Sequence, residues 1–172
     1  IANGYANHNT SFSRLYGAGP AKIAQTAGVS EQEILSFITG FDSRFPRGTQ
    51  FIQEVQASGA HRLRSEGEAY VTTFGGRRLP VDEDHLYALV NRLIQGSCAD
   101  VLKDAILRLD AAGLGNNILL PVHDELLFSF PSTPDGEEQA KEARSLMQDD
   151  RFSAPLTCDL SGPLSSWGES YR

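Results

Sequence analysis

Cysteine is nearly absent from these 172 residues, with Cys98 and Cys158 the two present. That scarcity excludes a disulfide-stapled scaffold, and the pair lacks metal-ligand spacing, so both read as reduced packing residues on a predicted helix and a predicted strand. Long apolar runs are missing too. Nothing approaches the roughly 20 residues that span a bilayer, and no signal-peptide pattern is visible, so a cytoplasmic chain is expected. Positive charge is short: 15 Lys and Arg face 22 Asp and Glu, for a net charge of −7. A broadly basic phosphate-gripping surface is thereby excluded. Local groups of cations remain: Arg62, Arg64, Arg77 and Arg78 flank one predicted turn, and Arg92, Lys103 and Arg108 share a predicted helix. Arg62 and Arg108 read as solvated surface charges, and Arg77 and Arg78 are the better contact candidates.

What is present suits a chain with one core, at 40% hydrophobic residues and a mean hydropathy of −0.29. The pattern gives helix, helix, short strands, long helix, hairpin, helix, strand. Ser30 and Glu33 form a capping box, followed at helical spacing by Ile34, Phe37, Ile38 and Phe41. Pro46 ends that helix and starts another, running to about Arg64. Glu68 to Thr73 reads as a strand that turns at Gly75-Gly76 into a second one. A long helix is expected from near Asp82 or Asp84 to near Gly113 or Gly115. Gly96 inside it costs roughly 1 kcal/mol relative to Ala, which implies close approach to its backbone by another element, a second helix included.

Pro121-Val122-His123-Asp124-Glu125 lies between the apolar runs Ile118-Leu119-Leu120 and Leu126-Leu127-Phe128. Two strands joined by a short acidic turn form a β-hairpin, and its tip either holds a carboxylate rigidly against a metal ion or is an ordinary solvated turn. Upstream, His8, Phe12 and Tyr16 recur every four residues and share one helix face, ahead of Gly17-Ala18-Gly19, which suggests a helix ending in a mobile loop. Core packing is the alternative for both aromatics. Asn91 and Gln95 are also four apart on one face, and exposed surface is their plain reading.

Taken in order, Phe12-Ser13-Arg14-Leu15-Tyr16-Gly17, Gly75-Gly76-Arg77-Arg78-Leu79-Pro80, the Asn91 to Lys103 helix and the His123-Asp124-Glu125 hairpin resemble the C-terminal fingers and palm portion of family A, DNA polymerase I-like, DNA polymerases. The resemblance runs from about residue 8 to the closing Ser166-Trp167-Gly168. It implies an α+β fold, part of a right-hand polymerase domain that is mostly helical with a palm hairpin and short strands. Residues 1–66 would be fingers-like and residues 67–172 palm-like, and a phage source, with action in the host cytoplasm, fits as well.

The implied activity is template-directed DNA synthesis, with primer-template DNA and dNTP as partners and two Mg²⁺ ions as cofactor. On this resemblance Asp124 is a metal ligand, Glu125 supports it, and His123 positions the primer terminus. Phe12 and Tyr16 meet the nucleotide and the templating position, and His8 stands where the family usually has a phosphate-binding lysine. Asn91 and Gln95 approach the duplex minor groove, where every base pair presents an acceptor, and Arg77 and Arg78 complete the DNA contacts. The family's second catalytic aspartate lies on a strand upstream of the fingers. Because the chain starts at Ile1, with its first motif following almost at once, an upstream polymerase segment is expected to have been trimmed, lost or separately encoded. The chain is then part of a larger or split polymerase; the alternative is a non-catalytic DNA-binding module that keeps a partial polymerase fold.

Overall fold

The computed structural model describes residues 10–171, with side chains through residue 169, and divides into two compact units, Ile1–Ser97 and Cys98–Arg172. In the first unit a helical stretch over 10–15 precedes α1 (Pro20–Ala27), α2 (Glu31–Arg44) and α3 (Pro46–Glu66). The expected capping box opens α2: the Ser30 hydroxyl accepts from the Glu33 N–H, and the Glu33 carboxylate accepts from the Ser30 N–H at 2.9 Å. The Ser30 hydroxyl, donating to the Glu33 carboxylate at 2.6 Å, and then the Ser30 N–H hold the Glu33 carboxyl below its ordinary range. Asp42 of α2 ties the 10–15 stretch to α3. It takes the Arg14 guanidinium at 2.9 Å and the Thr49 hydroxyl at 3.0 Å.

β1 (Ala69–Thr72) and β2 (Arg78–Val81) pair antiparallel, with Tyr70 opposite Pro80 and Thr72 opposite Arg78. Ala69, Tyr70 and Val71 are buried, as are Ile52 and Gly59 of α3 and Leu89 and Val90. Gly59 lies hard against the Leu89 side chain, so a β-carbon there has no room.

The long helix starts later than its periodicity predicts. A 3₁₀ segment, Glu83–Ala88, comes first, and His85 at φ −119°, ψ 25° breaks the regular turn before α4 (Leu89–Ala111). Leu86, Leu89 and Val90 keep helical spacing across the break, so the apolar pattern does not register it. Gly96 does mark a close approach, made by Leu79 and Thr73 of the β1–β2 hairpin rather than by a helix.

The second unit holds the rest of α4, β3 (Ile118–Val122), β4 (Glu125–Phe128) and α5 (Pro134–Met147). Leu109, Leu114 and Ala143 form its core, packed by Ile118, Leu126, Phe128, Phe130, Leu146 and Met147. β3 and β4 pair antiparallel, as the hairpin pattern predicts, with Val122 opposite Glu125. The strand expected around Cys158 is not formed. Beyond α5 the described residues make one bridge, Asp149 with Leu156, before the 3₁₀ turn Trp167–Tyr171. Pro155 and Pro163 flank this stretch and give no N–H to a ladder. Both cysteines are free thiols, but Cys98 is exposed rather than a packing residue. Cys158 is partly covered, and burial pushes its thiol pKa up.

Candidate nucleic-acid interface and acidic turn

In the first unit the exposed end of the helical stretch carries two of the sequence candidates. Phe12 and Tyr16 face each other with ring centroids 5.9 Å apart, and Phe12 is 43% exposed, so the pair is not a buried core. The Tyr16 N–H closes the last turn onto the Phe12 carbonyl at 2.9 Å. Gly17 follows at φ 82°, a left-handed conformation open to glycine, and a β-carbon there would run into the Tyr87 carbonyl oxygen. The glycine expected to loosen this loop is therefore fitted closely against its neighbour. His8 lies outside the described residues.

The Gln95 side-chain amide donates to the Tyr16 hydroxyl at 3.2 Å. A nucleotide-side candidate and a DNA-side candidate, 79 residues apart in sequence, thus share one contact. Asn91 is half-buried one turn before Gln95 on the same helix.

Arg77 and Arg78 take different roles in the β1–β2 hairpin. One Arg77 guanidinium nitrogen donates to the Gly96 carbonyl at 2.9 Å, and the Phe74 N–H donates to the Ser97 hydroxyl at 3.0 Å, which clamps the hairpin tip onto α4. Gly96 makes this possible because its missing β-carbon leaves space for Thr73 and Leu79. Arg78 is exposed and lies 4.5 Å above the centre of the Tyr70 ring.

Arg62 lies 4.6 Å from the same ring and donates to the Tyr70 carbonyl at 2.7 Å, so it is not a merely solvated charge. Arg108 is likewise engaged, donating to the Leu146 carbonyl at 2.8 Å and pairing with Asp104. Sequence reasoning missed Tyr70 altogether. A tyrosine flanked by alanine and valine in a strand reads as core, and it is buried; what its ring carries depends on Arg62, eight residues earlier on another element.

In the second unit His123 and Asp124 form the two-residue turn between β3 and β4, and both are exposed, as is Glu125 at the start of β4. His123 sits at φ 54°, a left-handed conformation uncommon outside glycine, which fixes the direction in which the turn delivers Asp124. A carboxylate on a tight turn suits a hard divalent cation such as Mg²⁺. The fit is partial: among the described residues no three His, Cys, Asp or Glu side chains gather to hold a metal. The turn thus offers a ligand but not a complete ligand set.

Elsewhere in this unit Asp149, with its side chain 2% exposed, binds Arg151, which also reaches Asp104. Hydrogen bonds from Arg151 outweigh burial and hold the Asp149 carboxyl down to about 2. The same bonds raise the Arg151 guanidinium.

Two antiparallel hairpins, one clamped to a long helix and one tipped by an acidic turn, within a mainly helical chain, constitute an α+β polymerase-domain fragment. The chain belongs to DNA polymerase family A, whose profile matches residues 6–169. It is 31% identical over 160 residues to the DNA polymerase of Mycobacterium phage D29, covering 93% of this chain and 25% of that protein. To the thermostable DNA polymerase I of Thermus filiformis it is 30% identical over 150 residues, covering 84% of this chain and 17% of that one. Its fold matches the POL domain of Pol1 from M. smegmatis, solved in complex with DNA primer-template and dNTP, with a TM-score of 0.69 and 27% identity, over 87% of this chain and 28% of that one. The chain spans about a quarter or less of the length of these curated relatives. Among the described residues no helix is long and apolar enough to cross a membrane.

Proposed function

We propose that these residues are the fingers and palm portion of a DNA-directed DNA polymerase, which transfers deoxynucleotides from dNTPs to a primer 3′-hydroxyl under the direction of a template. The observation that most supports this is the Gln95–Tyr16 hydrogen bond, which joins the residues assigned to duplex and nucleotide. Phe12 and Tyr16, with His8 upstream, serve the incoming nucleotide: an aromatic face stacks on any base, which suits an enzyme that accepts all four, and Phe12 is the exposed ring of the pair. Asn91 and Gln95 present amide donors to the acceptors that all base pairs share in the minor groove. Arg77 holds the β1–β2 hairpin in place, and Arg78 faces the phosphate backbone. The functional division, fingers-like residues 1–66 and palm-like residues 67–172, differs from the compact units, which part after Ser97.

Asp124 is the carboxylate that would hold a divalent ion, with Glu125 as its neighbour and His123 orienting the primer terminus. Two such ions roughly 3.5–4 Å apart, when bound, activate the hydroxyl and neutralise charge on the attacking and leaving oxygens. The second aspartate is assigned to a segment outside these 172 residues, so the active polymerase is a longer or split protein.

Primer extension by the longer polypeptide that contains these residues tests the reading. The Asp124→Ala variant is expected to lose extension by a factor of at least about 10², as befits removal of a charge-stabilising ligand, while still binding primer-template. Extension by Asp124→Ala at the parent rate would contradict the metal assignment, and absence of extension by the parent would contradict the activity itself.

A further inference from the structure

We propose that Arg62, Tyr70 and Arg78 form a built phosphate-binding site for a nucleic-acid strand, in which two guanidinium groups are held against the one Tyr70 ring. The inference rests on the DNA reading above, and it adds Arg62 and Tyr70, which that reading does not use.

Both guanidinium carbons stand about equally far from one ring centre, 4.6 Å for Arg62 and 4.5 Å for Arg78. Their charges are separated by no more than the sum of those two distances, within the roughly 10 Å screening length at 0.1 M salt. Two like charges held so close repel each other, and the arrangement stands out in a chain where Arg14, Arg108 and Arg151 each pair with aspartate. Among the described residues neither Arg62 nor Arg78 has a carboxylate partner. At the far end of the ring the Tyr70 hydroxyl donates to the Glu66 carboxylate at 3.0 Å.

The stack is pre-organised. Tyr70 is buried and paired in β1 opposite Pro80, so its ring has a fixed position. Arg62 is tied to the Tyr70 carbonyl through one nitrogen, which leaves the rest of its donor fork for another acceptor. Guanidinium groups stacked on an aromatic face keep their planar edges available for bidentate hydrogen bonds to phosphate oxygens. Successive phosphates of one strand advance about 3.4 Å along the axis, so two guanidinium groups held on one ring fall within reach of phosphates of a single strand. Arg78 also belongs to the hairpin clamped onto the helix that carries Asn91 and Gln95, so a strand read by those amides has its backbone close to the same rigid body.

Fluorescence anisotropy of a labelled duplex with a 5′ overhang, titrated with the longer polypeptide that contains these residues at about 50 and about 200 mM salt, reads the site. Arg62→Gln is expected to weaken binding on the order of tenfold at the lower salt and to reduce the log–log salt slope by about one. Arg62→Lys should restore the slope and only part of the affinity, because an ammonium keeps the charge but not the planar fork. Circular dichroism confirms folding of each variant. Parent-like affinity and slope in a folded Arg62→Gln protein would overturn the inference and leave the DNA reading standing. No binding by the parent even at the lower salt would overturn both.

Discussion

Gly96 shows how one missing side chain can decide a contact. A β-carbon there would overlap a Leu79 methyl and come within 2.7 Å of the Thr73 methyl, both held by the hairpin that Arg77 fastens to the Gly96 carbonyl. Helix propensity alone favours alanine by roughly 1 kcal/mol, and overpacking a fitted contact costs roughly 1–3 kcal/mol. Since the neighbours are anchored, the clash should win. Gly96→Ala is expected to lower unfolding free energy by about 1 kcal/mol net, measured by urea denaturation; a more stable variant would mean that the hairpin yields. The cost of glycine inside a helical pattern points to a close approach, but the identity of the approaching group depends on residues 17 and 23 positions earlier. That part is invisible to local reading.

At the scale of elements, the charged tie among Asp104 and Arg108 of α4 and Asp149 and Arg151 beyond α5 joins segments that the hydrophobic pattern does not connect. Asp149 titrates near 2 in the folded chain, below its ordinary value of 3.8. A carboxyl whose folded pKa is depressed contributes stability that is full above the unfolded value and is lost as pH falls toward the folded one. Thermal stability should therefore fall between about pH 4 and about pH 2, and Asp149→Asn should start lower at neutral pH and fall less over that window. Melting curves at pH 7, 4 and 2.5 check it, and equal acid sensitivity in both proteins would remove Asp149 as a cause.

Element type was largely legible: the capping box, the Pro46 break and both hairpins follow from local rules about caps, proline and turn length. The 3₁₀ start before α4 and the missing strand near Cys158 were not. The first preserves apolar spacing across a kink at His85, and the second depends on prolines that remove ladder donors.

For the whole molecule, acidic and basic side chains balance in the first unit, and the excess acid of the −7 chain lies in the second. Phosphate-binding candidates accordingly fall in the balanced unit and the cation-binding candidate, Asp124, in the acidic one. Net charge alone argued against nucleic acid; its distribution removes that objection for the first unit. The candidate site was legible as separate motifs, because Phe12-Tyr16, Asn91-Gln95 and the acidic turn each have a short spacing signature. The Tyr16–Gln95 contact and the Arg62–Tyr70–Arg78 stack were not, since both are made across elements.

The most direct test of the central claim is the affinity of the longer polypeptide for a primer-template ending in a dideoxynucleotide, measured with the next correct dNTP, with a mismatched dNTP and with neither. A polymerase built as described should bind more tightly with the correct dNTP alone, because Tyr16 and Phe12 serve nucleotide and template together. Equal affinity in all three conditions, with salt-sensitive binding retained, would contradict that account and mark the chain as a DNA-binding module that does not select nucleotides.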